Sequence, residues 1–322
     1  MDIRRRQLIA AGAALPLAGI AHAQQDWPEQ TVKVMVPFPP GGSTDILGRM
    51  VADSLQKSLG KPVIVENLPG ATGTIGVAAV ARAKPDGHTL LMGSVGTMVT
   101  NHFAYEKLPF TIDSIAPVID LAETPNVLMV RADLPVNTPA ELIALMKANP
   151  NKFQYGSSGI ASSSHVSCEM FKLRAGVNAV HVPYKGGTPM LTDLVGGQID
   201  FSIDQISSAL KLIQAGRIKA LAVTSAKPST QLPNLPTLSQ TLPGFVASPW
   251  FSVGATAGTP RPIIQRLNAA LNAMLADKAV LAKLDGYGIV PVGGTPEDLA
   301  ALMKREADQM RELSQRVSLK AG

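Results

Sequence analysis

The chain predicts an α/β protein of two lobes, each built on a mostly parallel sheet. Three observations carry this. Apolar runs rich in β-branched residues alternate with amphipathic segments from Val32 onward. The junctions where a run ends and an amphipathic segment begins are rich in Gly and Ser. The segment after Gly258-Thr259-Pro260 holds helices but no strands for them to pack on, so it must return to an earlier sheet and make the first lobe discontinuous. A chain of 322 residues with 46% apolar content can also bury more than one core.

The elements follow in order. Val32–Val36 reads as a buried strand, and a helix from about Thr44 to Leu59 follows it. Ile46, Leu47, Met50, Val51 and Leu55 recur there at three- and four-residue spacing, and Gly60 and Pro62 stop the helix. Val63–Glu66 is the next strand and Ile75–Ala83 a short helix. Pro85-Asp86-Gly87 turns the chain into a strand at His88–Gly93. Strands at Ala116–Leu121 and Val127–Arg131 precede a helix that Thr138-Pro139 opens and that runs to Ala148. A second set begins near Phe153, with strands at 153–156, 179–183, 199–204 and 218–224 and helices at 163–175, 187–195 and 205–215. Residues 226–247 hold four prolines and no clear periodicity, and read as a long loop. Arg261–Ala276 and Pro296–Val317 are helical. The expected lobes are 24–124 with 250–322, and 125–249, joined by crossings near 122–128 and 246–256.

The N-terminus reads as an export signal over residues 1–23. Arg4, Arg5 and Arg6 precede an apolar run from Leu8 to Ile20, and Ala21-His22-Ala23 supplies the small residues of a cleavage site. The run is short for a membrane span, and R-R-Q-L-I fits both the general and the twin-arginine export routes. Cleavage leaves 299 residues and lowers the formal charge from +5 to +3. That balance is mild and no basic cluster interleaves with aromatics, which argues against nucleic acid. The single Cys168 cannot form an internal disulfide and reads as a buried thiol. The histidines left after cleavage, His88, His102, His165 and His181, have no metal-ligand spacing.

Three strand-to-helix junctions carry the chemistry. In V-K-V-M-V-P-F-P-P-G-G-S-T-D, residues 32–45, the strand gives way to a Gly-Gly loop and a helix start. The first turn of a helix has N–H groups without intrahelical partners and partial positive charge, so this loop suits a carboxylate or another small anion. Phe38, Pro40, Gly41, Gly42, Ser43 and Asp45 are its candidates; a well-capped β–α turn is the plain alternative. The second junction offers Gly156, Ser157, Ser158, Ser162, Ser163 and His165 as donors and hydroxyls, although Ser162 or Ser163 can equally cap the helix. Tyr184 and Lys185 repeat the pattern after the strand at 179–183. Asp204 ends strand 199–204 and suits a ligand amine or hydroxyl, or caps a helix. Ser94 and Thr97 complete the set of cleft candidates.

These segments also carry a family likeness. P-F-P-P-G-G-S-T-D (37–45), E-N-L-P-G-A-T-G-T-I-G (66–76), A-K-P-D-G-H-T-L-L-M-G-S (83–94), Y-G-S-S-G (155–159), S-S-S-H (162–165), V-P-Y-K-G-G (182–187), D-L-V-G-G-Q-I-D (193–200), L-P-T-L (235–238) and A-G-T-P (257–260) together resemble the substrate-binding proteins of tripartite tricarboxylate transporters, the TctC/Bug family. The resemblance implies a type II-like periplasmic-binding-protein fold with ligand held between the lobes. It further implies a periplasmic, monomeric, non-enzymatic protein without cofactor or metal. Its partners would be a small organic (di)carboxylate and the permease subunits of a transporter. Ser252 and Thr256 depart from the family pattern, which has Gly and Pro there. A carboxylate sensor acting on a membrane receptor fits the same features. Enzyme readings fit less well. The glycines of G-A-T-G-T-I-G (70–76) do not follow a strand directly, as a dinucleotide site requires. No G-x-S-x-G elbow accompanies His165.

Overall fold

The computed structural model describes residues 27–184 and 186–316. The signal sequence expected over residues 1–23, and Lys185, lie outside the described residues. Two sheets organise the chain. The first takes β1 (Val32–Val36), β2 (Val63–Asn67), β3 (Thr89–Ser94), β4 (Ile115–Glu123), β10 (Trp250–Thr256) and β11 (Val290–Pro291), in the order β11-β4-β10-β3-β1-β2. The second takes β5 (Asn126–Arg131), β6 (Gln154–Ser157), β7 (Val180–Pro183), β8 (Phe201–Gln205) and β9 (Ile218–Val223), in the order β7-β6-β8-β5-β9.

Helices cover both faces of each sheet because the strands alternate. Val32, Val34 and Val36 of β1 face α1 (Ser43–Leu59) and α8 (Arg261–Leu275). Met35 points the other way, toward α2 (Thr74–Ala81) and α10 (Pro296–Ser314). In the second lobe Leu128 and Val130 meet α4 (Pro139–Ala148) and α5 (Ser163–Ala175), while Val127 and Met129 meet α6 (Gly187–Val195) and α7 (Ile206–Gln214). α1 lies close on β1 because residue 48 is glycine: a Cβ there would stand 2.6 Å from Val36 Cγ2. The C-terminal helices do return to the first sheet, and Val166, Met170 and Leu173 of α5 reach the apolar cluster of α10, so the two lobes touch there.

The two-lobed α/β architecture is as expected, but strand pairing is more mixed than mostly parallel. β1 pairs parallel with β2 and β3, and β6 with β7 and β8. β10 lies antiparallel between β3 and β4, and β5 antiparallel between β8 and β9. These are the two strands that arrive from the other lobe. The chain steps from β4 to β5 through Thr124-Pro125 and returns from β9 to β10 through 224–249. Sequence periodicity also misses a helical stretch, a π turn at Gly96–Thr100 continuing into α3 (Asn101–Ala104), and the two-residue β11. Ser252 and Thr256 are accommodated in β10, where Thr256 Oγ1 donates to Val80 O at 2.9 Å. No helix among the described residues is long and apolar enough to cross a membrane.

The crossings hold one another. Thr124 N–H donates to Pro249 O at 2.9 Å, Thr224 N–H to Asn126 O at 2.9 Å, and Ala247 N–H to Thr224 O at 3.0 Å. The fully buried Thr224 hydroxyl donates to Ala247 O at 2.7 Å. Thr224→Val keeps the shape and leaves the half-buried Ala247 carbonyl without its hydroxyl donor, a loss of about 0.5–1.5 kcal/mol. Urea unfolding should show the decrease; an unchanged midpoint would mean that the hydroxyl does not secure the joint.

Candidate functional site

The carboxyl ends of β1, β2 and β3 form one rim and those of β6, β7 and β8 the other, the places where α/β sheets bind ligands. In the first loop Phe38 is half-buried, and Pro40, Gly41 and Gly42 are exposed. Gly41 has φ +93°, a conformation that side chains resist. Gly42 is the N-cap of α1 with φ −83° and ψ 170°, ordinary extended backbone, so its need for glycine is not conformational. A Cβ at either residue would meet nothing within 4 Å. No side chain caps α1, and its first internal bond runs from Ile46 N–H to Gly42 O. The N–H groups of Ser43 and Thr44 therefore stand at an uncapped helix start beside open space.

Asp45 takes a different role from the ligand contact expected of it. Its carboxylate is buried and accepts from Gly41 N–H at 3.0 Å, from Arg49 Nε and Nη2 at 3.0 Å each, and from Asn67 Nδ2 at 2.9 Å. Asn67 also donates to Phe38 O at 3.1 Å. Burial opposes ionisation, but the hydrogen bonds from Arg49, Gly41 and Asn67 outweigh it and hold Asp45 at about 2. Asp45 and Asn67 thus fix the loop, and Gly41 N–H is already occupied.

A second loop of this rim, 68–74, packs against the first: a Cβ at Gly73 would lie 3.3 Å from Phe38 Cζ and 2.7 Å from Thr97 Cγ2. Ala71 (φ 46°) and Thr72 (φ 54°) are left-handed non-glycine residues. Asn101 Nδ2 braces them by donating to Thr72 O at 3.0 Å, and Tyr105 OH lies 2.9 Å from Thr72 Oγ1. Ser94 and Thr97 bond each other: Ser94 N–H donates to Thr97 Oγ1 at 2.9 Å and the Thr97 hydroxyl to Ser94 O at 3.1 Å. Thr97 is buried and shapes the turn.

The other rim is more self-contained. Ser158 N–H donates to Ser164 Oγ at 2.8 Å, Gly159 N–H to Ser157 Oγ at 3.3 Å, Ala161 N–H to His165 Nδ1 at 3.0 Å and Ser162 N–H to Gly159 O at 3.2 Å. Ser162 is the N-cap of α5, its oxygen accepting from His165 N–H at 3.3 Å. Ser157 and His165 are buried, and Ser157 Oγ lies 2.7 Å from His181 Nε2. Ser158, Ser162 and Ser163 are only half-buried. Gly156 makes room for Ile199 and Met190, whose atoms would lie 2.4 and 2.7 Å from a Cβ. Tyr184 donates to Asp193 Oδ2 at 2.7 Å, and burial with this bond pushes its hydroxyl up to about 12. Asp204 is buried, accepts from Gln205 N–H at 2.8 Å, and is raised by burial to about 6.

The rims meet at the second crossing. Val95 and Thr100 of the first lobe, Ser163 and Ser167 of α5, Ser248 and Glu306 line a cavity of about 40 Å³ there. A larger hollow of about 740 Å³, between 112–117 and α10, lies away from both loops. Sequence reasoning missed Asn67, Thr72, Asn101, Asp193 and His181. Asn67 and Thr72 stood inside the 66–76 segment and Asp193 inside 193–200; Asn101 and His181 act through tertiary neighbours that no spacing reveals.

Asp45 generates a prediction. Its folded value lies below the unfolded carboxylate's, so its contribution is present above about pH 4 and is lost as pH falls toward about 2, roughly 2 kcal/mol in all. Asp45→Asn should lack this component. Urea midpoints over that range should fall more steeply for the wild type than for the variant, and parallel falls would contradict the assignment.

The family model described as tripartite tricarboxylate transporter family receptor matches residues 47–319. The chain is similar to Protein BugT of Bordetella pertussis, 37% identical over 320 residues that span 95% of this chain and 97% of the relative. A Rhodopseudomonas palustris protein solved with adipate superposes with a TM-score of 0.77 at 37% identity, over 90% of this chain and 98% of the other. MatC from the same organism, solved with bound malate, superposes with a TM-score of 0.73 at 33% identity, over 89% and 99%.

Proposed function

The chain belongs to the tripartite tricarboxylate transporter receptor family, and from that premise we propose that it captures a small organic carboxylate in the periplasm and presents it to the permease subunits of such a transporter. The observation that carries this reading is the uncapped start of α1, held open by Asp45 and Asn67 at the carboxyl end of β1. Adipate and malate, found in two similar structures, are both dicarboxylates. In this reading Gly42, Ser43 and Thr44 present N–H groups to one carboxylate. Phe38 and Pro40 wall that end, and Ser158, Ser162 and Ser163 offer hydroxyls to the other. Lys185 contributes positive charge in this reading. Residues 24–124 with 250–322 form one lobe and 125–249 the other. They close on the ligand through 124–125 and 224–249, because a ligand favours the state that it binds better. The protein works as a monomer, is exported with cleavage after Ala23, and turns nothing over.

A panel of mono-, di- and tricarboxylates tests this by thermal melting. A true ligand at a hundredfold excess over its Kd should add about 2.7 kcal/mol of stability. Gly42→Val should still fold, since its backbone angles are ordinary and its surroundings open, at a cost of about 1 kcal/mol because valine is a poorer N-cap than glycine, yet lose the ligand-induced shift because the side chain fills the anion's place. Stabilisation by non-acidic solutes alone, or full binding by Gly42→Val, would overturn the reading.

A further inference from the structure

Beneath the second loop three aromatic rings lie nearly parallel. His165 of α5 stacks on His181 of β7 at 4.1 Å between centroids and 8° between planes, and His181 stacks on Tyr155 of β6 at 4.8 Å and 13°. His165 is 3% exposed. Its Nδ1 accepts the N–H of Ala161, and that bond needs an unprotonated nitrogen. Ala161 is a non-glycine residue at φ +60°, a conformation that costs of order 1 kcal/mol and persists where its surroundings impose it. Each end of the loop is therefore tied to an imidazole: Ala161 to His165, and Ser157, through its hydroxyl, to His181.

The surroundings disfavour a cation on His165. It lies in the first turn of α5, where the helix carries partial positive charge. A proton on Nδ1 would set two donors face to face. The charged and titratable neighbours do little to offset this. Glu169 lies one turn along α5 and favours the cation, but it already accepts from Tyr155 OH and, at 2.6 Å, from Lys172 Nζ. Lys172, itself 5.2 Å over the Tyr155 ring, opposes it. Arg316 lines the same hollow as Glu169 and Lys172, Glu306 of α10 lines the cavity with Ser163 and Val166, and Asp204 closes β8. Burial lowers His165 from its ordinary 6.5, and burial together with His165 lowers His181 to about 4.

We propose that His165 is a positioning residue for the binding site: as a neutral imidazole it holds loop 158–162 in its ligand-facing shape, and its protonation releases that loop, so carboxylate affinity falls on acidification through a group that touches no ligand. The proposal rests on the carboxylate reading above. Because the folded value lies below the free one, the order of the loop is complete at neutral pH and is lost as pH falls below about 6.5.

Two measurements test it. In the ligand-free wild type, imidazole and amide nitrogen resonances followed from about pH 7.5 to about 4.5 should show the Ala161 amide moving, and its exchange with solvent speeding up, as His165 titrates. Calorimetry then compares the wild type with His165→Asn, using the carboxylate that raises the melting temperature most. Asn offers a non-titrating acceptor near the Nδ1 position. It should bind more weakly at neutral pH, because the stacking is lost, but its affinity should change less below pH 6.5. The wild type should lose up to about tenfold more per pH unit below the midpoint, the limit for one linked proton. The difference between the two profiles cancels titration of the ligand and of Asp204. Parallel profiles, or an Ala161 amide that stays fixed while His165 titrates, overturn the proposal. If no carboxylate binds at any pH the functional reading fails instead, and the ligand-free titration alone decides the role of His165, as it does if the variant does not fold.

Discussion

A strand that enters a lobe from the cleft has to run away from it, whereas the strands that end in binding loops run toward it. β5 and β10 meet that constraint by inserting antiparallel between strands of the opposite sense. Both are deeply buried, so the joint is made of strand ends rather than of a slack linker. Thr224 and Ala247, with Thr124 and Pro249, lock the two passages side by side. Any closing motion must then come from small dihedral changes at 124–125 and along 224–249, while each three-layer lobe moves as a body. Everything at the rims inherits its position from this arrangement.

The two rims solve the same problem differently. On the first, Asp45 draws Gly41 N–H, Arg49 and Asn67 to itself and leaves the start of α1 without a cap. Donors kept free in this way are costly to bury unless an acceptor arrives. On the second, serines and His165 satisfy most of the loop's backbone donors before any ligand comes. What remains there is half-buried hydroxyls, which can both give and accept. The first rim thus offers unpartnered backbone donors, and the second offers hydroxyls.

Much of this was legible in the chain. Strand and helix spans came from period and punctuation, and Gly-Gly at 41–42 marked the start of α1. That the helical tail returns to the first sheet followed from its lack of visible strands, although it holds the short β11, and the second passage runs over 224–249 and not near 246–256. The rest depended on partners far apart in sequence. Asp45 reads as a cleft carboxylate until Asn67 and Arg49 are seen to surround it. The hydroxyls of Ser94 and Thr97 look available until they are found bonded within one turn. His181 pairs with Tyr155 only through the register of β6 and β7. The insertion of β10 and β5 is invisible to periodicity, because a buried strand has the same alternation in either direction. Ala71 and Thr72 carry no propensity for the left-handed backbone that they adopt; packing around Gly73 and Asn101 accompanies it.

The central claim is that backbone donors at the start of α1 hold the ligand's charge. A crystal structure of the protein with the carboxylate that stabilises it most examines this directly. Carboxylate oxygens about 2.7–3.2 Å from the N–H groups of residues 42–44, with Asp45 still bonded to Gly41 and Arg49, are the expected result. A ligand whose carboxylates are held by side-chain cations, with the first turn of α1 turned to water, would contradict it.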